Sequence, residues 1–319
     1  MPAGFDTLLS PVILFFILGA LAAAFRSDLA IPEAVAKGIS LYLMAAIGLK
    51  GGVEVSQSGF TQEMALAALA GLVLSFLIPL PLFLALKRIG RLDTVNAAAV
   101  AAHYGSVSVV TFVAGSQVLG SGGMPPAGYM VAVLALMETP AIIVGLMLAR
   151  RGGGAQLQSG NGLLHETLLN GSVVLLMGSF IIGLIAGTDG FAPIAPLFQD
   201  IFTGMLCLFL LDMGLVAMRR LRESRALTWR LAGLGIIFPV INGTIGVLVG
   251  AMIGLDAGSA AALGMLAASA SYIAVPAAMR LALPQADPGL YLAMSLAVTF
   301  PFNITIGIPY FVFLATQVV

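Results

Sequence analysis

The sequence predicts an all-α polytopic membrane protein, with ten transmembrane helices in two inverted five-helix repeats and with broken helices 4 and 9 crossing at the midplane. Three observations carry this expectation. First, the chain of 319 residues is 60% hydrophobic and only 9% charged, whereas soluble domains carry about 25% charged residues. A soluble protein could not hide that much apolar surface. Second, the basic residues fall almost entirely on one side of the chain's successive crossings. Third, short motifs recur at one constant offset between the two halves.

Apolar runs of about 20 residues are long enough to cross a bilayer. They lie near 8–25, 34–53, 63–86, 94–117, 127–149, 167–187, 196–218, 229–253, 257–280 and 288–316. No basic segment precedes the first run, "LLSPVILFFILGALAAAF", so it reads as a retained span rather than a cleaved signal peptide. Between spans 5 and 6 lies "RRGGGAQLQSGNG", 150–162, which is polar and glycine-rich. It divides the chain into a first repeat over 1–150, a linker over 151–162 and a second repeat over 163–319.

The loops set the orientation. With the sides numbered alternately, 13 of the 14 Lys and Arg residues share one side, from Arg26 and Lys37 to Arg230 and Arg280. Lys50 alone lies on the other. The basic side must be cytoplasmic, so the linker is internal and both termini are external. Losing one span would scramble this alternation, so the bias also tests the span count.

The halves resemble each other. "RLDTVNAAA" (91–99) matches "GLDAGSAAA" (254–262) at an offset of 163. At that offset Gly51 and Val53 fall on Gly214 and Val216, and Ser106 and Ser108 fall on Ser269 and Ser271. Near 161, Pro140 falls on Pro301. An odd number of spans per repeat forces the second repeat to be inverted. Inverted repeats with broken helices mark secondary transporters, with the substrate near the midplane.

Other function classes are disfavoured. The formal net charge is zero, which argues against nucleic acid. The single Cys207 excludes an intramolecular disulfide and a cysteine-rich metal site. No nucleophile-and-base pair, phosphate loop or metal motif is visible, so no enzyme activity and no cofactor are expected.

Two polar stretches interrupt the spans at corresponding places, "HYGSVS" in span 4 and "AASASYIAVP" in span 9. Gly105 can unwind a helix. Pro276 lacks an N–H and frees the carbonyl of Tyr272. Ser106, Ser108, Ser269 and Ser271 suit the N-caps of restarting helices. Two such N-termini, converging by inversion, would make a small anion site without a buried Lys or Arg. Gly105, Ser106, Ser108, Ser269, Ala270 and Ser271 are its candidate residues. The plainer reading is that small residues simply let helices pack closely.

Glu138, in "ALMETPAI", lies mid-span without a basic neighbour in sequence. A charge there costs about 2.5–3.5 kcal/mol on insertion scales. A bound cation or a proton would offset that cost, and a structural hydrogen bond is the alternative. Thr139 could join it, as could Thr299, Asn303 and Thr305 in "TFPFNIT", where Pro301 suggests freed carbonyls. Hard cations such as sodium favour such oxygens, by extension from calcium and magnesium. Asp212 could pair with Arg219 or Arg220. His103 reads as a hydrogen-bonded packing residue before a proton relay. A lone histidine makes a poor metal site, and His165 lies near the linker. Trp229 reads as an interface anchor.

Taken together, "AAIGLKGGVEVSQSG", "AAHYGSVSVVTF", "ALMETPAI", "LLDMGLVAMRRL" and "FPFNITIGIPYF" resemble the sodium-dependent bicarbonate transporter family, the SbtA-type permeases known from cyanobacteria. The resemblance runs in order over nearly the whole chain. It implies five plus five inverted spans, a gate domain of spans 1, 2, 6 and 7, a core domain of spans 3–5 and 8–10, and a homotrimer in the lipid of a bacterial plasma membrane. It implies bicarbonate where the broken spans meet, sodium beside it as coupling ion, and elevator-type motion of core against gate. Some members are inhibited by a cytoplasmic PII-like protein, and the 150–162 linker carries no positive sign of such docking. Bicarbonate suits the inferred site, being small, planar, monovalent and rich in acceptor oxygens. A sodium- or proton-coupled symporter of another organic anion is a second reading, and an anion channel or membrane sensor is a third.

Overall fold

In the computed structural model, residues 10–151, 171–223 and 226–319 are described. The linker from residue 152 onward and His165 lie outside them. The described residues are mostly helical, with no strand among them. Helices predominate because a bilayer offers no water to pair backbone groups, and a helix satisfies them within one segment.

The first half contains α1 (Pro11–Ala24), α2 (Glu33–Ser58), α3 (Gln62–Leu77), α4 (Pro79–Arg88), α5 (Thr94–Gly105), α6 (Val109–Ser121), α7 (Met130–Glu138) and α8 (Pro140–Arg151). The second contains α9 (Gly171–Phe191), α10 (Phe202–Glu223), α11 (Trp229–Met252), α12 (Ala257–Ala268), α13 (Ala274–Ala282), α14 (Pro288–Leu292) and α15 (Ile308–Val318). Between α14 and α15 two π-helical turns, Ala293–Thr299 and Asn303–Gly307, flank Pro301. A proline cannot donate to the ladder, and the wider turns take up the disruption around it.

Among the described residues, eight helical stretches are long and apolar enough to cross a membrane. They make the chain a multi-pass membrane protein. Two of the expected ten crossings fall short as single helices. The first is represented by α1, of 14 residues, and the ninth is divided into α12, of 12, and α13, of 9.

Two long contacts build one side of the bundle, α1 against α10 and α2 against α9. Glycines set both. A Cβ on Gly19 would strike the carbonyl of Leu211, and one on Gly214 that of Phe16. Gly52 lies as tightly against Phe180, and Gly183 against Leu49. Without a hydrophobic drive between helices in lipid, such close backbone approach is what holds them. Elsewhere α11 packs on α12, α5 on α8, and α3 on α7.

The recurrent "LD" motif has a structural counterpart. Asp93 caps α5 by accepting from the Asn96 amide at 2.9 Å, and Asp256 caps α12 by accepting from Ser259 at 2.9 Å. Both helices have 12 residues and both end at a serine in extended conformation, Ser106 and Ser269.

Candidate substrate site at the two helix breaks

The helices part where the polar stretches lie. The backbone leaves α5 at Ser106 and re-enters helix at Val109, and it leaves α12 at Ser269 and re-enters at Ala274. Both breaks are buried, with Ser106, Ser108, Ser269, Ala270 and Ser271 each at most 4% exposed.

The four serines divide by role. Ser108 is the N-cap of α6, and its hydroxyl accepts from the Thr111 amide at 3.2 Å. The Ser271 hydroxyl accepts from the Val275 amide in the first turn of α13, at 3.3 Å. These two act at restarting helices, as expected. Ser106 and Ser269 do not, because they are the C-caps of α5 and α12. The Ser106 hydroxyl donates to the Glu138 carbonyl at 3.1 Å, and that of Ser269 to the Leu266 carbonyl at 2.8 Å. Neither hydroxyl accepts from the first turn of the helix that restarts in its own break.

The two breaks are tied to each other. The Ser108 amide donates to the Ser269 hydroxyl at 2.9 Å, and the Ser271 amide donates to the His103 carbonyl at 2.8 Å. Each tie satisfies a buried amide that no helix ladder reaches. The N-termini of α6 and α13 thereby share one crevice. Its walls are Val107, Ser108, Val109, Glu138, Ser271, Tyr272, Ile273 and, from α2, Met44. The free space is about 10 Å³, enough for about one water.

Gly105 and Pro276 take parts different from those expected. A Cβ on Gly105 would overlap the Pro79 ring and approach the Ala141 Cβ to 2.8 Å. The glycine is therefore required where α5 crosses α4 and α8. Pro276 sits in the first turn of α13, where its missing N–H costs no helical bond.

Glu138 is 3% exposed, ends α7 and faces the crevice, and its Oε2 has no hydrogen-bond partner among the described residues. Thr139, the next residue, is half-buried. The other candidate oxygens lie off the crevice wall. Asn303 donates from Nδ2 to the Ala268 carbonyl at 2.9 Å, at the end of α12, and leaves its buried Oδ1 without a partner. Thr299 donates to the Gly235 carbonyl at 2.7 Å and lies 2.6 Å from the Tyr104 hydroxyl. The Thr305 hydroxyl donates to the Pro301 carbonyl at 2.7 Å, within its own helix. Crevice and π-helical segment thus meet through α12, with one orphaned oxygen on each.

His103 is fully buried and stacks on Tyr291, with centroids 4.4 Å apart. Its Nδ1 lies 2.7 Å from the Ala99 carbonyl and must carry the proton there. Among the described residues Asp212 has no Arg or Lys nitrogen within 4.0 Å, so the pairing open to it with Arg219 or Arg220 is not made as a direct ion pair. Arg219 donates to the Leu29 carbonyl at 2.8 Å, and Arg220 lies 3.8 Å from Glu223. Both arginines are turned to other partners, whereas Asp212 is buried about two turns earlier on α10.

Sequence reasoning missed Thr111, whose buried hydroxyl, one turn into α6, has no partner among the described residues. Its i+3 spacing from Ser108 placed it on the same helix face. It also missed Met44, and nothing local to α2 marks that residue, because its role arises from tertiary packing.

The fold is that of a multi-pass membrane protein, and two interrupted helices meeting inside a bundle are the construction secondary transporters use. The chain belongs to the Na+-dependent bicarbonate transporter superfamily, whose family model matches residues 11–316. That membership places it among transport proteins rather than enzymes. No curated protein matches the chain.

Proposed function

We propose that the chain is a sodium-coupled bicarbonate symporter that loads both ions where its two broken helices meet. The observation that carries this reading is the mutual tie of the breaks beside Glu138. The first amides of α6 and α13 have no acceptor within their own helices. Two helix N-termini add partial positive charge. Together they suit an anion with three acceptor oxygens and one charge, bound by Gly105, Ser106, Ser108, Ser269, Ala270 and Ser271. Most of that binding comes from backbone amides, and the hydroxyls fix the geometry.

Sodium fits the oxygens left over. Glu138 Oε2 and Asn303 Oδ1 are buried and orphaned, and hard cations take such donors. Glu138, Thr139, Thr299, Asn303 and Thr305 form the proposed set. The cation would balance one of the two negative charges, carboxylate and anion, and the two helix N-termini would offset the other. Uptake is then driven by the inward sodium gradient.

The ten crossings form two inverted repeats of five in this reading. The equal capped helices α5 and α12 support it. The glycine-bound pairs α1–α10 and α2–α9 support a gate of spans 1, 2, 6 and 7. The remaining spans form the core, which slides against the gate as an elevator. The basic side is cytoplasmic, both termini are external, and the protein works as a trimer in a bacterial inner membrane. A cytoplasmic PII-like regulator is a partner this reading accommodates.

The deciding experiment is uptake of labelled bicarbonate into proteoliposomes, with sodium and proton gradients imposed separately. Accumulation driven by sodium is expected. Accumulation driven by protons alone would make Glu138 a proton carrier, downhill flux alone would make the chain a channel, and binding without flux would make it a sensor. Uptake of an organic anion in place of bicarbonate would move the substrate class.

A further inference from the structure

A second, larger cavity opens along the same seam. It has a volume of about 250 Å³ and lies between α2 and α10 on one wall and α6, α7 and the loop 125–128 on the other. Ile47 and Phe112 line it. Met44 and Val109, each one helical turn earlier, line the crevice at the breaks. The two spaces are therefore neighbours along the seam between α2 and α6.

The larger cavity has what the inner crevice lacks, a fixed positive charge. Lys50 lines it and is the one basic residue on its side of the sequence's alternation. Its Nζ lies 5.6 Å from the Phe202 ring centroid, within cation–π range. Among the described residues no carboxylate lies within 4.0 Å of it. Glu54, one turn along α2, lines the same cavity but turns its carboxylate toward Gly128. Ser116 and Gln117 face Lys50's cavity from α6, and among the described residues the Ser116 hydroxyl has no hydrogen-bond partner.

Resting on the symport reading above, we propose that this cavity is an entry site that captures bicarbonate before it moves to the breaks. Lys50 supplies the charge, and Gln117 and Ser116 supply donors to the anion's oxygens. The nearby Glu54 keeps the local net charge small. A station on a transport path must hold its ion firmly enough to fill and weakly enough to release it. A lysine partly offset by a carboxylate meets both needs. Because Lys50 holds a compact charge on a flexible stem, it can follow the anion inward by a turn of α2.

The test is the concentration dependence of labelled bicarbonate uptake in proteoliposomes under a fixed sodium gradient. Lys50→Gln is expected to raise KM about tenfold and to weaken the loss of uptake with added salt, since both report attraction to one charge. Lys50→Arg should keep KM near the wild-type value. Lys50→Cys, in a Cys207→Ser background, should regain a low KM when a reagent adds an ethylammonium group, and not when it adds a sulfonate. This arm holds even if Lys50→Gln inserts poorly, because modified and unmodified protein are compared in one preparation. An unchanged KM and salt dependence in Lys50→Gln would overturn the entry site alone. So would a lower maximal rate at constant KM, which marks a structural lysine. A wild-type protein that takes up no bicarbonate would overturn the symport reading with it.

Discussion

The amide of Ser108 and the hydroxyl of Ser269 are 2.9 Å apart, 161 residues apart in sequence, and they join the two interruptions of the bundle. Ser269 in turn donates to the Leu266 carbonyl, so its one proton is committed while the oxygen accepts the Ser108 amide. This hydroxyl is part of the scaffold on which the crevice is built.

Loss of that joint should cost more than loss of a cap. Ser108→Ala removes one acceptor for the Thr111 amide, worth about 0.5–2 kcal/mol at a helix N-terminus. Ser269→Ala leaves the buried Ser108 amide unpaired, at about 1–3 kcal/mol. Apparent bicarbonate KM should rise roughly two- to tenfold in Ser108→Ala and more in Ser269→Ala, and the double variant should be less than additive because the residues touch. Strictly additive losses would show two independent packing serines.

Gly105→Ala tests a packing requirement. Overfilling a tight site costs about 1–3 kcal/mol, and the clashing atoms belong to Pro79 and Ala141. Thermal stability in detergent should drop, and Pro79→Ala in the same chain should restore part of it. Unchanged stability in Gly105→Ala would overturn the packing requirement.

Glu138→Gln retains hydrogen-bonding capacity and removes the charge that a cation would balance. The sodium concentration for half-maximal uptake should rise about tenfold or more, at roughly 1.4 kcal/mol per decade. Unchanged sodium dependence in correctly inserted protein would give Glu138 a structural role only.

Orientation can be read with single cysteines in a Cys207→Ser background. Ser121 and Ser27 are both exposed, at opposite ends of the bundle. An impermeant maleimide added to intact cells should label Ser121→Cys and leave Ser27→Cys unmodified until the membrane is opened. The reverse pattern would invert the topology.

The sequence made the breaks legible because Ser108 and Ser271 carry a chemical signature of restarting helices. It misassigned Ser106 and Ser269 for a physical reason. A serine hydroxyl serves either end of a helix, and only the backbone dihedral decides which. Gly105 reads in the sequence as a point where the helix unwinds, whereas the structure gives it a packing role against Pro79 and Ala141, which sequence spacing does not bring near. The π-helical turns around Pro301 were anticipated only as freed carbonyls. Met44 was invisible, since its neighbours in the crevice come from four other helices or breaks.

Met44 has a wider consequence. Among the walls of the crevice it is the one residue from α2, and every other wall belongs to the breaks or to Glu138. The ties between Ser108 and Ser269 and between Ser271 and His103 keep those other walls in register. In the proposed elevator motion, a cargo riding there would keep the same immediate company wherever it travels. Its affinity at the two faces of the membrane can then differ only through what α2 contributes. A single methionine side chain, soft and adaptable, would set the asymmetry between taking up an ion and letting it go.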